Sequence, residues 1–373
     1  VLGEGGLGEW GRTGAPGRLT RDWLADAKSD KGRASPERGK GAVSRRGKKF
    51  AVRRGSFADK VLDLPAVRWL IWVVEAGLLG LFWLVSRGLP VETAARFGAR
   101  LLAALGPRMS RHRHVVRNLA IVPPRRGPAE IESLARRVWA GFGQVMAEYA
   151  HLPELCRTGP GARIELIRRD DLDIYNGSGR PVIFVGAHIA NWELSAGAVA
   201  AHGTPLTVVY MPEKNPLVAA MVQRRRRALG CGFVSKLEGL RPLIRELAKG
   251  RSIGLLIDRR NDQGETLPFF GLDTMMTSSP ARLALRFGYQ LVPTGIERTG
   301  PSRYRVTLYP PVEPDDRAAS DDVKARQMMT KVNALFEAWI RARPMDWFCS
   351  KRMWPKTTYA RHQTALEDAV EEA

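Results

Sequence analysis

The chain has 373 residues, a formal charge of +21 and only three cysteines, Cys156, Cys231 and Cys349. That length allows a large core. The scattered cysteines exclude a disulfide framework or a paired-cysteine zinc site, and the surplus of Lys and Arg favours anionic partners over cationic or neutral ones. Residues 1–55 are rich in Gly, Arg, Lys and Ser with no apolar period, which predicts a disordered basic tail. Residues 60–90 contain "AVRWLIWVVEAGLLGLFWLVSRGL", a nearly continuous apolar run with Trp69, Trp72 and Trp83 spread along it. Its length is near the lower end of the roughly 17–25 residues that span hydrocarbon. Glu75 inside the run is costly in lipid, and Arg68 and Arg87 bracket it. The flanks on both sides are basic, so the sequence predicts a membrane-associated helix, either single-pass or embedded in one leaflet with both flanks cytoplasmic.

Helical patterns follow at 91–105, 109–120 and 129–150. From residue 163 short β-like runs alternate with helical ones. They read "RIELI", "PVIFVG", helix 192–202, "LTVVY", helix 215–229, "GFVS", helix 239–249, "SIGLLI", helix 280–287, "QLVPTGIER", "YRVTLYP" and a helix near 320–342. This alternation predicts an α/β fold with a mostly parallel central sheet flanked by helices over 91–356, followed by a flexible tail at 357–373.

In such sheets ligands bind at the carboxyl ends of strands, and "PVIFVG" ends in Ala187-His188. Glu193 lies five positions on. On one continuous helix these two would point about 140° apart. They can meet if His188 sits in a turn and Asn191 caps a helix that begins after it. Glu193 then falls in the first turn and can accept the ring N–H, leaving the other nitrogen of His188 as a base. His188 and Glu193 are the expected catalytic pair. Ser195 lacks the flanking glycine of a nucleophile elbow, and neither HExxH nor a phosphate-binding glycine loop occurs.

A turn with H-x4-D/E after an apolar strand resembles the glycerolipid acyltransferases. "GAHIANWE" is similar to the branch that adds secondary acyl chains to lipid A. "RNLAIVPP", "VYMPEKNPLVAAMVQRRRRALG", "LLIDRRNDQGETLPFFGLDTMMTSSPARLA" and "DWFCSKRMWPK" resemble further blocks of that family in the same order. Two departures stand out. Met211 occupies a position that is often arginine in that family, and Cys349-Ser350 interrupts a block that usually carries histidine.

The resemblance implies an O-acyltransferase at the cytoplasmic face of the inner membrane, with no metal or cofactor. Its donor would be an acyl thioester on acyl carrier protein, and its acceptor the hydroxyl of an anionic lipid A precursor. Another membrane glycolipid or a lysophospholipid is the alternative acceptor. Asn191, Arg224, Arg227, Asp258, Arg259, Phe269 and Phe270 are the expected substrate-contacting positions. The run Arg224–Arg227 equally fits a solvated helix face, and the two phenylalanines equally fit a core. A non-enzymatic membrane or nucleic-acid-binding protein is the competing class; it predicts that loss of residues 1–55 abolishes function, whereas the enzyme reading makes nucleic acid an unlikely partner.

Overall fold

The computed structural model describes residues 64–168 and 180–361; the expected basic tail at 1–55 lies outside them, as do residues 362–373. The chain begins its described part with α1 (Pro65–Arg87), α2 (Val91–Leu105), α3 (His112–Ile121), α4 (Pro128–Glu148) and the single turn α5 (Leu152–Leu155). Next come β1 (Ile164–Arg168), β2 (Val182–Gly186), α6 (Glu193–Ala201), β3 (Leu206–Tyr210), α7 (Pro216–Arg226), β4 (Gly232–Ser235), α8 (Leu240–Ala248) and β5 (Ser252–Leu256). The final elements are β6 (Glu265–Phe269), β7 (Leu272–Met276), α9 (Ser279–Phe287), β8 (Gln290–Gly300), β9 (Arg303–Leu308) and α10 (Asp321–Ala342).

Seven strands form one sheet in the order β1-β9-β8-β2-β5-β3-β4. Every neighbouring pair is parallel except β8 and β9, which form an antiparallel hairpin. The expected mostly parallel sheet is therefore present. Its central strand β2, Val-Ile-Phe-Val-Gly, is buried at all five positions, as a strand covered on both faces must be. The sequence reading missed β6 and β7, a separate antiparallel hairpin. Its alternation is broken by Pro268 and by the Phe269-Phe270-Gly271 turn, where Phe270 takes a φ of 53°.

Between strands the chain first moves one way from β2, through α6 to β3 and β4. It returns to β5 beside β2, then crosses to β8 on the other side of β2. The reversal puts a crevice at the carboxyl ends of β2 and β5, where open α/β sheets bind ligands.

The helices ahead of the sheet are tightly joined. Gly98 of α2 and Gly143 of α4 face each other so closely that a Cβ on Gly143 would lie 2.1 Å from the Gly98 carbonyl oxygen. α1 is long and apolar enough to cross a membrane, yet little of it is buried. Its C-terminal half packs on the domain through Phe82 on Phe97 and Trp83 on Tyr149, and polar bonds add to this. Asn215 Nδ2 donates to the Trp72 carbonyl at 2.9 Å and to Glu75 Oε2 at 3.0 Å. Farther along, the Trp83 indole N–H donates to the Met146 carbonyl at 2.8 Å, and His151 Nε2 donates to the Ser86 carbonyl at 2.9 Å. The carboxylate that looked costly in an apolar run thus faces the domain.

Residues 357–361, the described part of the expected flexible tail, are ordered against the domain. The Tyr359 hydroxyl accepts from the backbone N–H groups of Met353 and Trp354 and donates to Asn118, so residues 357–361 are tied to α3.

Candidate active site

The site follows from strand register. Gly186 of β2 stands opposite Leu256 of β5, and the Ile257 N–H extends the ladder to the Gly186 carbonyl at 3.0 Å. Two residues beyond that pair on each strand come His188 and Asp258. Their side chains meet: His188 Nδ1 lies 2.6 Å from Asp258 Oδ1. The second carboxylate oxygen accepts the Trp347 indole N–H at 2.9 Å. Trp347 is set by backbone pairing, since it bridges Ile189, and the Phe348 N–H donates to the His188 carbonyl at 2.8 Å.

The electrostatics are those of a neutral base on an ionised support. Burial pushes the His188 pKa below its ordinary 6.5, against the pull of Asp258 and with the help of Arg259. Burial works to raise Asp258 as well, but His188, Arg259 and the Trp347 N–H outweigh it and hold the carboxyl at about 2. A carboxylate only accepts hydrogen bonds, so the proton of neutral His188 sits on Nδ1 and Nε2 carries the free lone pair. Among the described residues no serine or cysteine is bonded to the ring. The three free thiols lie well away from nucleophile territory, because burial raises Cys156 to about 11 and Cys231 to about 12, and pushes Cys349 higher still. The arrangement is therefore suited to taking a proton directly from a substrate hydroxyl.

Glu193 does not reach His188. Both of its oxygens are held by Arg226, Oε2 by Nε at 2.9 Å and Oε1 by Nη2 at 2.6 Å. The Arg226 guanidinium also lies over the Tyr210 and Phe233 rings, 5.5 Å from each centroid. Glu193 thus fixes α7 to the start of α6, and the expected His188–Glu193 contact is replaced by His188–Asp258. The reason is local. Ala190 takes a left-handed φ of 49° and its N–H donates to the Asp346 carbonyl, so the turn carries residue 193 away from the ring.

Asn191, expected to cap α6, does not do so with its side chain; it turns inward and donates to Glu148 Oε2 at 2.8 Å. Fully buried Glu148 also accepts from Tyr304, Ser302 (2.9 Å) and Arg298 (3.1 Å).

Beside Asp258 opens a cavity of about 200 Å³, lined on one side by Asp258, Arg259, Arg260 and Asp262, and on the other by Asn118 and the segment from Trp347 to Met353. It is strongly cationic. Arg260 is held by Asp262 at 2.6 Å, but Arg259 and Lys351 have no hydrogen-bonded acid among the described residues. Burial first, then Arg259, Arg111, Lys236 and Lys214, lower the Lys351 pKa, so four other cations act on this one ammonium.

Of the expected substrate-contacting positions, Asp258 and Arg259 line this cavity. Arg224 and Arg227 are exposed on α7 and its extension, as a solvated face would have it. Phe269 and Phe270 are buried, packed on Trp347 and Trp354 behind the dyad. Trp347 and Lys351 were missed as members of the site. Asp258 could have been recognised as the partner by its position: it follows "SIGLLI" at the strand-end offset at which His188 follows "PVIFVG".

A histidine base held by an ionised aspartate thus stands at the carboxyl edge of an α/β sheet, and the aspartate lines a cationic cavity. Comparison with known proteins gives the particular group. The profile of the bacterial lipid A biosynthesis acyltransferases matches residues 59–356, and the chain belongs to that family of acyltransferases. It is 28% identical over 283 residues to the phosphatidylinositol mannoside acyltransferase of Mycolicibacterium smegmatis, covering 73% of this chain and 88% of that one. The corresponding Mycobacterium tuberculosis protein is 27% identical over 76% of this chain and 88% of its own length. A lipid A biosynthesis acyltransferase of Haemophilus influenzae is 22% identical over 69% of this chain and 82% of its own. The solved 1-acyl-sn-glycerophosphate acyltransferase of Thermotoga maritima aligns over 66% of this chain and 99% of its own, at 13% identity and a TM-score of 0.32.

Proposed function

We propose that this acyltransferase moves a fatty acyl chain from an acyl thioester to a hydroxyl of a phosphorylated membrane glycolipid. The observation that carries the reading is the His188–Asp258 pair, whose carboxylate lines a cationic cavity. His188 Nε2 takes the proton of the acceptor hydroxyl. Asp258 keeps the ring in the Nδ1–H tautomer and stabilises the imidazolium. The hydroxyl oxygen bonds to the thioester carbonyl, the C–S bond breaks as the tetrahedral intermediate collapses, and the imidazolium returns its proton to the leaving thiolate. Arg259 and Lys351 supply positive charge for an anionic headgroup.

The higher identity to the phosphatidylinositol mannoside acyltransferases favours an acceptor of that glycolipid class, with lipid A precursors second. Acyl carrier protein is the proposed donor carrier, because a chain of charge +21 suits an acidic partner.

The enzyme works from one leaflet at the cytoplasmic face of the inner membrane. Supporting this, α1 is fastened to the domain at Trp72–Glu75 and again at Trp83–Ser86, about 16 Å apart along the helix axis. An upright crossing would pull Asn215 and Arg225, which stacks on Trp83, into hydrocarbon.

The test is acyl transfer by the purified protein with acyl carrier protein and coenzyme A thioesters, offered phosphatidylinositol mannosides or a lipid A precursor and read by mass spectrometry. One new acyl ester on a glycolipid, absent with His188→Ala, supports the reading. Transfer to lysophospholipid alone overturns the acceptor assignment, and an active His188→Ala overturns the mechanism.

A further inference from the structure

The proposed chemistry leaves one apolar feature of the sheet's carboxyl edge unused. β3 and β4 run in register with Tyr210 opposite Ser235, so the segments that begin at Met211 and Lys236 leave the sheet side by side. β3 and β4 run parallel to β5 and β2, so this is the edge that carries His188 and Asp258. After β4 a capping box closes a single tight turn: Ser235 Oγ accepts the Leu237 N–H at 3.2 Å, and Glu238 Oε1 accepts the Ser235 N–H at 3.2 Å. The turn is fixed by these bonds, yet it presents Leu237 to solvent at 72% exposure. Leu240 and Met211 are exposed nearby, at 54% and 50%.

Single exposed apolar residues are ordinary on protein surfaces, so the grouping matters. Lys214, Lys236 and Arg241 are exposed among these three; of the neighbouring carboxylates, Glu238 is engaged in the cap and Glu213 is half-buried, where burial raises its pKa. The patch is also continuous with α1. The Met211 loop ends at Asn215, which bonds α1 at Trp72 and Glu75, and α1 turns Leu70, Val73, Val74 and Leu78 outward. Apolar tips ringed by cations, joined to an outward apolar helix, complement a leaflet with an acyl interior and an anionic surface.

We propose that the loops following β3 and β4 form a second membrane contact, in which Met211, Leu237 and Leu240 enter the headgroup boundary of an anionic phospholipid leaflet while Lys214, Lys236 and Arg241 meet its phosphates. This rests on the membrane reading above and adds to it an orientation: the carboxyl edge of the sheet faces the bilayer. A glycolipid headgroup then reaches the catalytic cavity while its acyl chains stay in the leaflet.

The test uses the full chain with an environment-sensitive nitrobenzoxadiazole label on Leu237→Cys, and the same label on exposed Asp316→Cys as reference. Vesicles are phosphatidylcholine with or without phosphatidylglycerol, and carry a quencher high on the acyl chain. The expected result is a blue shift and quenching at 237 but not at 316, strongest with phosphatidylglycerol. Leu237→Asp with Leu240→Asp weakens vesicle affinity about tenfold while leaving the unfolding midpoint unchanged. Protein that binds vesicles with the 237 label still in water overturns the second contact and leaves α1 as the anchor. Failure to bind either vesicle overturns the membrane reading and the second contact with it.

Discussion

Asp258→Asn tests the heart of the site with almost no change in shape. Asp258 accepts from two donors, His188 Nδ1 at 2.6 Å and Trp347 Nε1 at 2.9 Å. Asparagine has one acceptor oxygen and one amide. The Trp347 indole can only donate, so it claims the oxygen, and the amide N–H2 then faces His188 Nδ1. Nδ1 must become an acceptor, which moves the ring proton to Nε2, the atom that should receive the acceptor's proton. Loss of the correct tautomer together with the supporting charge lowers kcat by about 10²–10⁴, or roughly 3–5 kcal/mol in the barrier. Glu193→Gln should behave in the opposite way. It leaves Arg226 without its buried partner, so unfolding becomes easier by about 3–5 kcal/mol, while the folded protein keeps kcat within about tenfold. Turnover of the glycolipid acylation and thermal unfolding, measured on both variants, separate the two roles. Wild-type turnover in Asp258→Asn, combined with a folded but inactive Glu193→Gln, would refute the register argument and restore the linear His188–Glu193 pairing.

Other consequences follow from the same geometry. His188 is held neutral below its ordinary 6.5, so in acid the unfolded chain binds a proton that the folded one refuses; thermal stability should fall as pH drops below about 6.5, and His188→Gln should flatten that slope. Asp258, depressed from 3.8 to about 2, adds a further loss over that lower window, and the acid limb of kcat/KM should lie below 6.5. Glu148→Gln leaves Arg298 buried without a counter-charge and should cost about 3–5 kcal/mol in urea unfolding. Gly143→Ala forces apart α2 and α4 at their closest approach and should cost at least about 1–3 kcal/mol, whereas Gly141→Ala, whose Cβ would find its nearest neighbour at 3.7 Å, should be close to silent in the same assay.

Much of the fold was legible because it depends on local pattern. The buried run Val182–Gly186 and the alternation of strands with amphipathic segments read directly as a parallel sheet, and a histidine just past a buried strand marked the binding edge. The β6–β7 hairpin was not legible, since Pro268 and the Phe269-Phe270-Gly271 turn mask its period, and those two phenylalanines support Trp347 instead of facing substrate. The expected His188–Glu193 contact does not form, for a deeper reason. Glu193 is near His188 along the chain, and Asp258 is near it only through pairing of two strands 70 residues apart. A sequence displays neighbours along a helix or a turn; it does not display which strands adjoin. Once β2 and β5 are known to be parallel neighbours, equal offsets from their paired ends bring His188 and Asp258 together, and the same reasoning sets Met211 beside Lys236 at the end of β3 and β4. The run Arg224–Arg227 divides by the same kind of constraint. Arg226 meets Glu193, Arg225 lies on Trp83, and Arg224 and Arg227 are left to solvent, so four identical letters have distinct roles set by which face of α7 and its extension meets the rest of the fold.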